Sequence, residues 1–197
     1  MRDRRALAVL LLTLAACATP AKTHYYSLSP ESPPAAQAPG AAPAYRVAIG
    51  PATVPEAVDR AQIVLRLAPN RYAIADAERW AQPLTREIPR VLAAEIARRL
   101  PAAQVASESQ YGGQSADFRV WIDVLRFESV PGESATLEVA WSVRGRSGAR
   151  LREARSLSVE KAGASGVAAL VAAHAKGLAA TAQDISAALA ALAEAKH

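Results

Sequence analysis

The hydrophobic pattern of this 197-residue chain changes period along its length, and that change restricts the fold more than any other feature. Residues 45–49 alternate between apolar and polar side chains and stop at Gly50-Pro51, while residues 62–67 form a second β-rich run. We expect residues 72–75 to return as the hairpin partner of that run. Between residues 84 and 100 the apolar side chains instead recur every four positions, which indicates an amphipathic helix.

The second half of the chain repeats the order of strands followed by a helix. Residues 118–127, 137–143 and 151–159 have strand periodicity, and a final amphipathic helix spans residues 166–193. The third of these strands is the most polar, which predicts an edge strand. The whole order predicts an α+β fold, with a mostly antiparallel sheet and two amphipathic helices packed on one face.

Prolines mark the limits of the first helix. Pro83 suits the first helical turn, and Pro101 should end the helix. Pro89 removes an interior hydrogen bond, so we expect either a kink or a late start of the helix there.

The strand at 118–127 is apolar on both faces, because Trp121, Leu125 and Phe127 lie opposite its main apolar side. Two explanations are open. These side chains either fill the core around a bend or bulge, or they form a surface that a partner covers.

Cys17 is the only cysteine, and it closes the sequence Leu14-Ala15-Ala16-Cys17 after three N-terminal arginines and a short apolar segment. This pattern is typical of a secretory signal peptide, and the apolar segment is too short to span a bilayer. The ending resembles the bacterial lipobox, whose cysteine is acylated after cleavage. We therefore expect residues 1–16 to be a lipoprotein signal peptide and Cys17 to anchor the protein in a membrane. An incidental cysteine in an ordinary signal peptide is the alternative.

The sequence after Cys17 predicts a short tether and one domain. By resemblance to lipoprotein sorting, Ala18 favours the outer membrane of a Gram-negative bacterium over the inner membrane. Residues 24–28 have the aromatic content of a strand, so we expect an anchor and tether at 17–23 and a single α+β domain at 24–197. Residues 29–44 contain five prolines and predict a Pro/Ala-rich loop inside that domain. Fully extended, the tether reaches about 20 Å, which would hold the domain close to the membrane.

The charge pattern argues against nucleic acid as a partner. Loss of residues 1–16 removes three arginines and one aspartate, which lowers the net charge from +5 to +3. The remaining arginines are interleaved with acidic residues rather than clustered beside aromatic side chains, as a nucleic-acid surface would require.

The sequence contains no glycine-rich phosphate loop, no metal-ligand spacing and no Gly-x-Ser-x-Gly motif, so we expect no enzyme activity, cofactor or metal. His174 lies alone on the apolar stripe of the last helix, which favours a core histidine. Asp117 with Asp123, or Glu128 with Glu133, could form an acid/base pair on neighbouring strands. Solvated strand faces explain these carboxylates equally well.

Asp59 and Arg60 are a candidate partner contact, and a loop-fixing ion pair is the alternative role. They belong to a series of short motifs, namely Tyr25-Tyr26-Ser27-Leu28, Val54-Pro55, Asp59-Arg60, Gln62-Ile63-Val64 and Trp80-Ala81-Gln82-Pro83-Leu84. In this order and spacing the motifs resemble the PqiC-type ABC-transport auxiliary lipoproteins over essentially the whole mature chain. One departure is that Ala57 and Val58 stand where that family commonly has an aromatic residue and a leucine.

The resemblance implies a non-enzymatic subunit of an intermembrane lipid transport system. An inner-membrane ABC transporter would work with an MCE-domain protein, and the lipoprotein would dock that protein at the outer membrane. The resemblance also implies association of several copies into a ring. Two other functions are open: a structural or assembly lipoprotein that docks an outer-membrane protein, and a cell-wall-active lipoprotein.

Overall fold

The structure is a computed structural model that describes residues 22–31, 43–110 and 116–195. The predicted signal peptide, Cys17 and most of the predicted Pro/Ala-rich loop lie outside these ranges. The described part also contains a single 3₁₀ turn, Glu108–Gln110. Its strands and helices are β1 His24–Tyr26, β2 Tyr45–Thr53, β3 Gln62–Ala68, β4 Arg71–Trp80, α1 Leu84–Arg99, β5 Ala103–Ser107, β6 Phe118–Val130, β7 Ser134–Gly145, β8 Arg150–Lys161 and α2 Val167–Glu194.

The strands form two sheets of mixed direction, so the α+β class is confirmed but the mostly antiparallel sheet is only partly correct. The larger sheet has the order β5-β2-β6-β7-β8, and the smaller has the order β1-β4-β3. The meander of β6, β7 and β8 and the β3–β4 hairpin are antiparallel, as predicted. However, β2 is parallel to both β5 and β6, and β1 is parallel to β4. Parallel neighbours need a crossover connection, which the hairpin and α1 supply between β2 and β5.

Three strands differ from the prediction. Strand β5 was not predicted, because its residues Ala-Gln-Val-Ala-Ser include only one large apolar side chain. Strand β4 covers ten residues, far more than the predicted 72–75. Strand β2 continues past Gly50-Pro51 to Thr53, and its pairing with β6 shifts between Ile49 and Ala52. The shift is a bulge, which accommodates a proline that has no N–H to donate to the ladder.

A bulge in β6 decides the orientation of Phe127. The residues on either side of Leu125 pair with consecutive residues of β7, so Leu125 is the extra residue in the ladder. One extra residue turns the following side chains to the opposite face. Phe127 is therefore buried in the core, whereas Trp121 and Leu125 remain 45% and 38% exposed. The bulge explanation is thus confirmed for Phe127 but not for the other two side chains.

Helix α1 begins at Leu84, directly after Pro83, and ends at Arg99, before Pro101. The late start expected from Pro89 is wrong, because this proline lies buried inside the continuous helix. The predicted apolar stripe is confirmed by the side chains that are fully buried or nearly so, namely Leu84, Ile88, Leu92 and Ile96.

Helix α2 lies within one residue of both predicted ends and packs on β7, β8 and α1. At Gly177 the helix comes close to β7, since a Cβ atom there would lie 3.2 Å from Cβ of Leu137. Glycine therefore permits the close approach of helix and sheet. The inward side chains of both helices and of the larger sheet form one apolar core, so the two helices cover the same face.

Candidate attachment and partner surfaces

Residues 24–31, which we call the N-terminal strap, run from the edge of β4 along helix α1. The Glu87 side chain is fully buried and accepts hydrogen bonds from the Leu28 N–H at 2.8 Å and from the Ser27 hydroxyl at 2.5 Å. The Arg90 guanidinium donates to the Leu28 carbonyl oxygen at 2.7 Å. Helix α1 thus satisfies both backbone polar groups of Leu28, while the Leu28 side chain enters the core.

Two turns further along α1, Glu95 holds the end of the strap. It accepts hydrogen bonds from the Glu31 N–H at 2.8 Å, from Arg98 at 2.6 Å and from Arg99. Burial opposes the charged form of Glu95, but the hydrogen bonds from the two arginines and the Glu31 amide outweigh it. The pKa of Glu95 therefore lies below its usual value.

The first residues of the strap are held by Glu78 of β4. Tyr26 and His24 both hydrogen-bond to this carboxylate, with His24 Nδ1 at 3.1 Å from Oε1. These hydrogen bonds, that from Tyr26 foremost, lower the pKa of Glu78, and the same contact raises the pKa of Tyr26. Because the strap is held along its length, the chain enters the domain at a defined place beside β4.

Asp59 and Arg60 lie exposed in the loop between β2 and β3. Backbone hydrogen bonds hold this loop: Asp59 N–H donates to the Pro55 carbonyl at 3.2 Å, and Arg60 N–H donates to the Val58 carbonyl at 2.9 Å. The side chain of Val58 is buried beneath the loop. Among the described residues, neither charged side chain has an ion pair or a hydrogen bond. The loop is thus fixed without the ion pair that was the alternative role for these two residues.

The structure brings together motifs that are far apart in the sequence. Trp80 N–H donates to the Ala61 carbonyl at 2.8 Å, and Ala81 N–H donates to the Tyr26 carbonyl at 2.7 Å. A depression of about 310 Å³ opens where these segments meet the start of α1. We call it the motif surface, and its lining consists of Asp59, Arg60, Ala61, Trp80, Ala81, Gln82 and Pro83.

The second exposed surface is the face of the larger sheet that the helices do not cover. Leu157 and Val159 of the edge strand β8 are each 61% exposed. The guanidinium of Arg144 on β7 lies 5.1 Å from the ring centre of Trp121 on β6, which is within range of a cation–π contact. Exposed apolar groups interspersed with arginines are typical of protein-binding surfaces.

His174 is a core residue, as predicted. Its Nε2 lies 2.9 Å from the Ser129 hydroxyl oxygen, and its ring stacks on Phe127 with the ring centres 3.7 Å apart. Burial lowers the pKa of His174 to about 3, so the imidazole is neutral at physiological pH. The ring is inaccessible to a substrate, and its contacts are those of a packing residue.

Three of the four carboxylates considered for acid/base chemistry have structural partners. Asp117 accepts hydrogen bonds from the Arg46 N–H and from the Arg146 guanidinium, both at 2.9 Å. Glu128 pairs with Arg66 at 2.7 Å, and Asp123 accepts a hydrogen bond from the hydroxyl of Thr53.

Within residues 22–31, 43–110 and 116–195, no group of three or more His, Cys, Asp or Glu side chains is placed to hold a metal ion. No helix there has the length and apolar character needed to cross a membrane.

Together, these features define an α+β module whose N-terminal segment is held beside an exposed motif surface. The model of a protein family described as the ABC-type transport auxiliary lipoprotein component matches residues 26–186, and the chain belongs to this family. The match begins in the strap, includes the whole motif surface and ends within α2. The family resemblance of the sequence is thereby confirmed.

Solved structures share the fold. An uncharacterized protein of known structure has a TM-score of 0.70 at 18% identity, over 85% of this chain and 99% of that chain. Protein XCC0632 from Xanthomonas campestris has a TM-score of 0.65 at 18% identity, over 83% of this chain and 93% of that chain. At these identities the similarity concerns the fold alone. No curated protein matches the sequence.

Proposed function

We propose that this protein is the outer-membrane lipoprotein subunit of an ABC/MCE-type intermembrane lipid transport system. In this proposal, acylated Cys17 holds the chain on the periplasmic side of the outer membrane, and the domain docks the MCE component without catalysis. The observation that carries the proposal is the motif surface. The segments that give the sequence its family resemblance lie in contact there, beside the strap that leads to Cys17.

The motif surface has the properties of a docking site. The side chains of Asp59 and Arg60 are exposed and have no ion-pair partner in the described residues, so both are available to charges on another protein. The backbone of their loop is already fixed by hydrogen bonds, so little conformational entropy is lost when a partner binds. Charges presented on a fixed backbone favour one partner and one orientation.

The test of the docking role is co-purification. The double variant Asp59→Ala with Arg60→Ala keeps the net charge and should reduce recovery of the MCE-domain partner from solubilised membranes. Its thermal melt should match that of the wild type, because neither exposed side chain has an ion pair or a hydrogen bond in the described residues. The matched control is Lys176→Ala with Glu194→Ala, which removes one basic and one acidic side chain from the exposed side of α2 and also keeps the net charge. Unchanged partner recovery from the folded Asp59/Arg60 variant would remove this surface from the interface.

We also propose that copies of the chain associate into a ring, as the family resemblance implies. The support is the exposed apolar surface of the edge strand β8, where a second copy can bury Leu157 and Val159. Leu157→Glu with Val159→Glu should lower the molecular mass of the acylated protein measured in detergent. A monomeric wild type, or an unchanged mass of the variant, would contradict association through this strand.

A further inference from the structure

We propose that the tip of the β3–β4 hairpin contacts the phospholipid surface to which Cys17 attaches the protein. This inference rests on the proposed acylation of Cys17. The contact surface, which we call the hairpin patch, consists of Leu67, Arg71, Tyr72 and Ile74.

The hairpin patch contains three large apolar side chains that are exposed to solvent. Leu67, Tyr72 and Ile74 are each about half exposed, at 46%, 51% and 47%. The connection between the two strands, Pro69-Asn70, adds no charge. Exposed apolar side chains grouped at the tip of a hairpin mark a surface that another phase or molecule covers.

The direction of the strap points the membrane anchor toward this patch. Strand β1 is parallel to β4, with His24 beside Glu78 and Tyr26 beside Trp80. Because the pair is parallel, the chain that precedes His24 leaves the domain toward the start of β4, which is the hairpin tip.

The length of the chain up to Cys17 matches the distance to be covered. Seven positions separate Cys17 from His24, and seven positions separate Arg71 from Glu78 on β4. Each span is about 23 Å when extended. The acylated residue can therefore reach the level of the hairpin tip, and the patch faces the surface that holds the acyl chains.

Charges of both signs lie near the patch. Glu128 is paired with Arg66 and Glu133 lies beside Leu67, while two cationic side chains can meet lipid phosphates. Lys22, two residues before the strap, and Arg71 at the hairpin tip are both exposed, and within the described ranges neither forms an ion pair. Cationic side chains beside a membrane are attracted to lipid phosphates. Tyr72 presents an apolar ring and a hydroxyl, which lies 3.4 Å from Glu128 Oε1. Such amphipathic rings are favoured at the boundary between headgroups and acyl chains.

The experiment uses the full chain, processed and acylated in a Gram-negative host and then reconstituted into phospholipid vesicles. Since Cys17 is the only cysteine, its acylation leaves the protein without a free thiol, and an introduced cysteine can carry a single environment-sensitive fluorophore. The label is placed at Leu67→Cys in one protein. In the matched control it is placed at Gln183→Cys, on the exposed side of α2. Both proteins are compared in detergent and in vesicles whose lipids carry a quencher at the headgroup level.

The inference predicts that only the label at position 67 is quenched in the vesicles, while both proteins float with them. Quenching that is equal at the two positions, or absent at both, would overturn the hairpin contact while leaving the anchor intact. A label at position 67 that is shielded from a soluble quencher in the vesicles but is not quenched by the headgroup probe would show that a protein surface covers the patch, which also overturns the proposal. Failure of the wild type to float would overturn the anchor itself, and with it the hairpin contact.

Discussion

The backbone N–H of Leu28 donates a hydrogen bond to the buried side chain of Glu87, 59 residues further along the chain, at 2.8 Å. Glu87 lies on a helix whose apolar side chains are buried in the core, so this bond couples the N-terminal strap to a core element. A buried polar contact of α1 therefore fixes the middle of the strap, while β4 holds its first residues.

The first prediction is that Glu87→Gln loosens the strap without unfolding the domain. The amide keeps one acceptor oxygen for the Leu28 N–H, but its NH2 group can only donate to the Ser27 oxygen, so both hydrogen bonds lose the carboxylate charge. Hydrogen bonds to charged groups contribute about 1.5–3 kcal/mol and neutral ones about 0.5–1.5 kcal/mol, so the strap should be held about 1 kcal/mol or more less tightly. Hydrogen exchange of residues 27–31 should accelerate in this variant, whereas the exposed control Glu56→Gln should leave the exchange rate unchanged. Equal exchange in both variants would show that Glu87 does not hold the strap.

The second prediction concerns the pH dependence of stability that originates in His174. The pKa of this histidine is about 3 in the folded state and 6.5 ordinarily, so the unfolded chain binds the extra proton between these values. Stability conferred by the neutral ring is complete above pH 6.5 and is lost as the pH falls toward 3. The loss reaches about 1.4 kcal/mol per pH unit.

The measurement is the free energy of unfolding between pH 6.5 and 4.5. Ser129→Ala alone keeps the histidine and should keep the steep decline of the unfolding free energy with falling pH. Ser129→Ala with His174→Leu should reduce that slope by up to about 1.4 kcal/mol per pH unit, which corresponds to one proton. The same slope in both proteins would mean that His174 is not the group responsible.

The third prediction tests the buried stripe of α2. Leu178 is fully buried, so Leu178→Asp would place an uncompensated charge in the core and should cost several kcal/mol. Ala180→Asp, on the exposed side of the same helix, should change the melting temperature little. A cooperative melt of the Leu178 variant near the wild-type temperature would contradict the assignment of this face to the core.

The fourth prediction concerns the close approach of α2 to β7. In Gly177→Ala the new methyl group would lie 3.2 Å from Cβ of Leu137, an atom that moves only with the backbone of β7. Overpacking of about 1–3 kcal/mol should exceed the helix-propensity gain of about 0.5–1 kcal/mol, so the variant should be less stable. Gly163→Ala, where the space is open, serves as the control in the same denaturant titration. A stabilised Gly177 variant would show that the two elements can separate without cost.

Local periodicity predicted the elements whose apolar side chains face a single side. Helices α1 and α2 and the β6–β8 meander follow from repeats of four and two residues, because each buries one stripe or one face. Strand β5 escaped prediction since its place in the sheet depends on parallel pairing with β2, a partner more than fifty residues away. The mixed strand directions depend on the same long-range pairing.

The candidate site was predictable only in parts. Asp59 and Arg60 were identified as a pair of charges in a loop, and the motif at residues 80–83 was identified as the start of a helix. Their contact depends on Trp80 N–H reaching the Ala61 carbonyl, which no local pattern encodes. Glu87 and Glu95 were not identified at all. Acidic residues in an amphipathic helix normally lie on its solvated side, and these two are buried because the strap supplies their hydrogen-bond donors.

Acylation of Cys17 is measured in cells that express the full chain and are supplied with labelled fatty acid. The wild type should incorporate the label and fractionate with the outer membrane. Cys17→Ser should remain an unlabelled precursor, because a hydroxyl cannot replace the thiol that accepts the diacylglyceryl group. A serine variant that still carries the label and sediments with the outer membrane, or a wild type that does neither, would contradict the attachment of this domain to the membrane through an acylated Cys17.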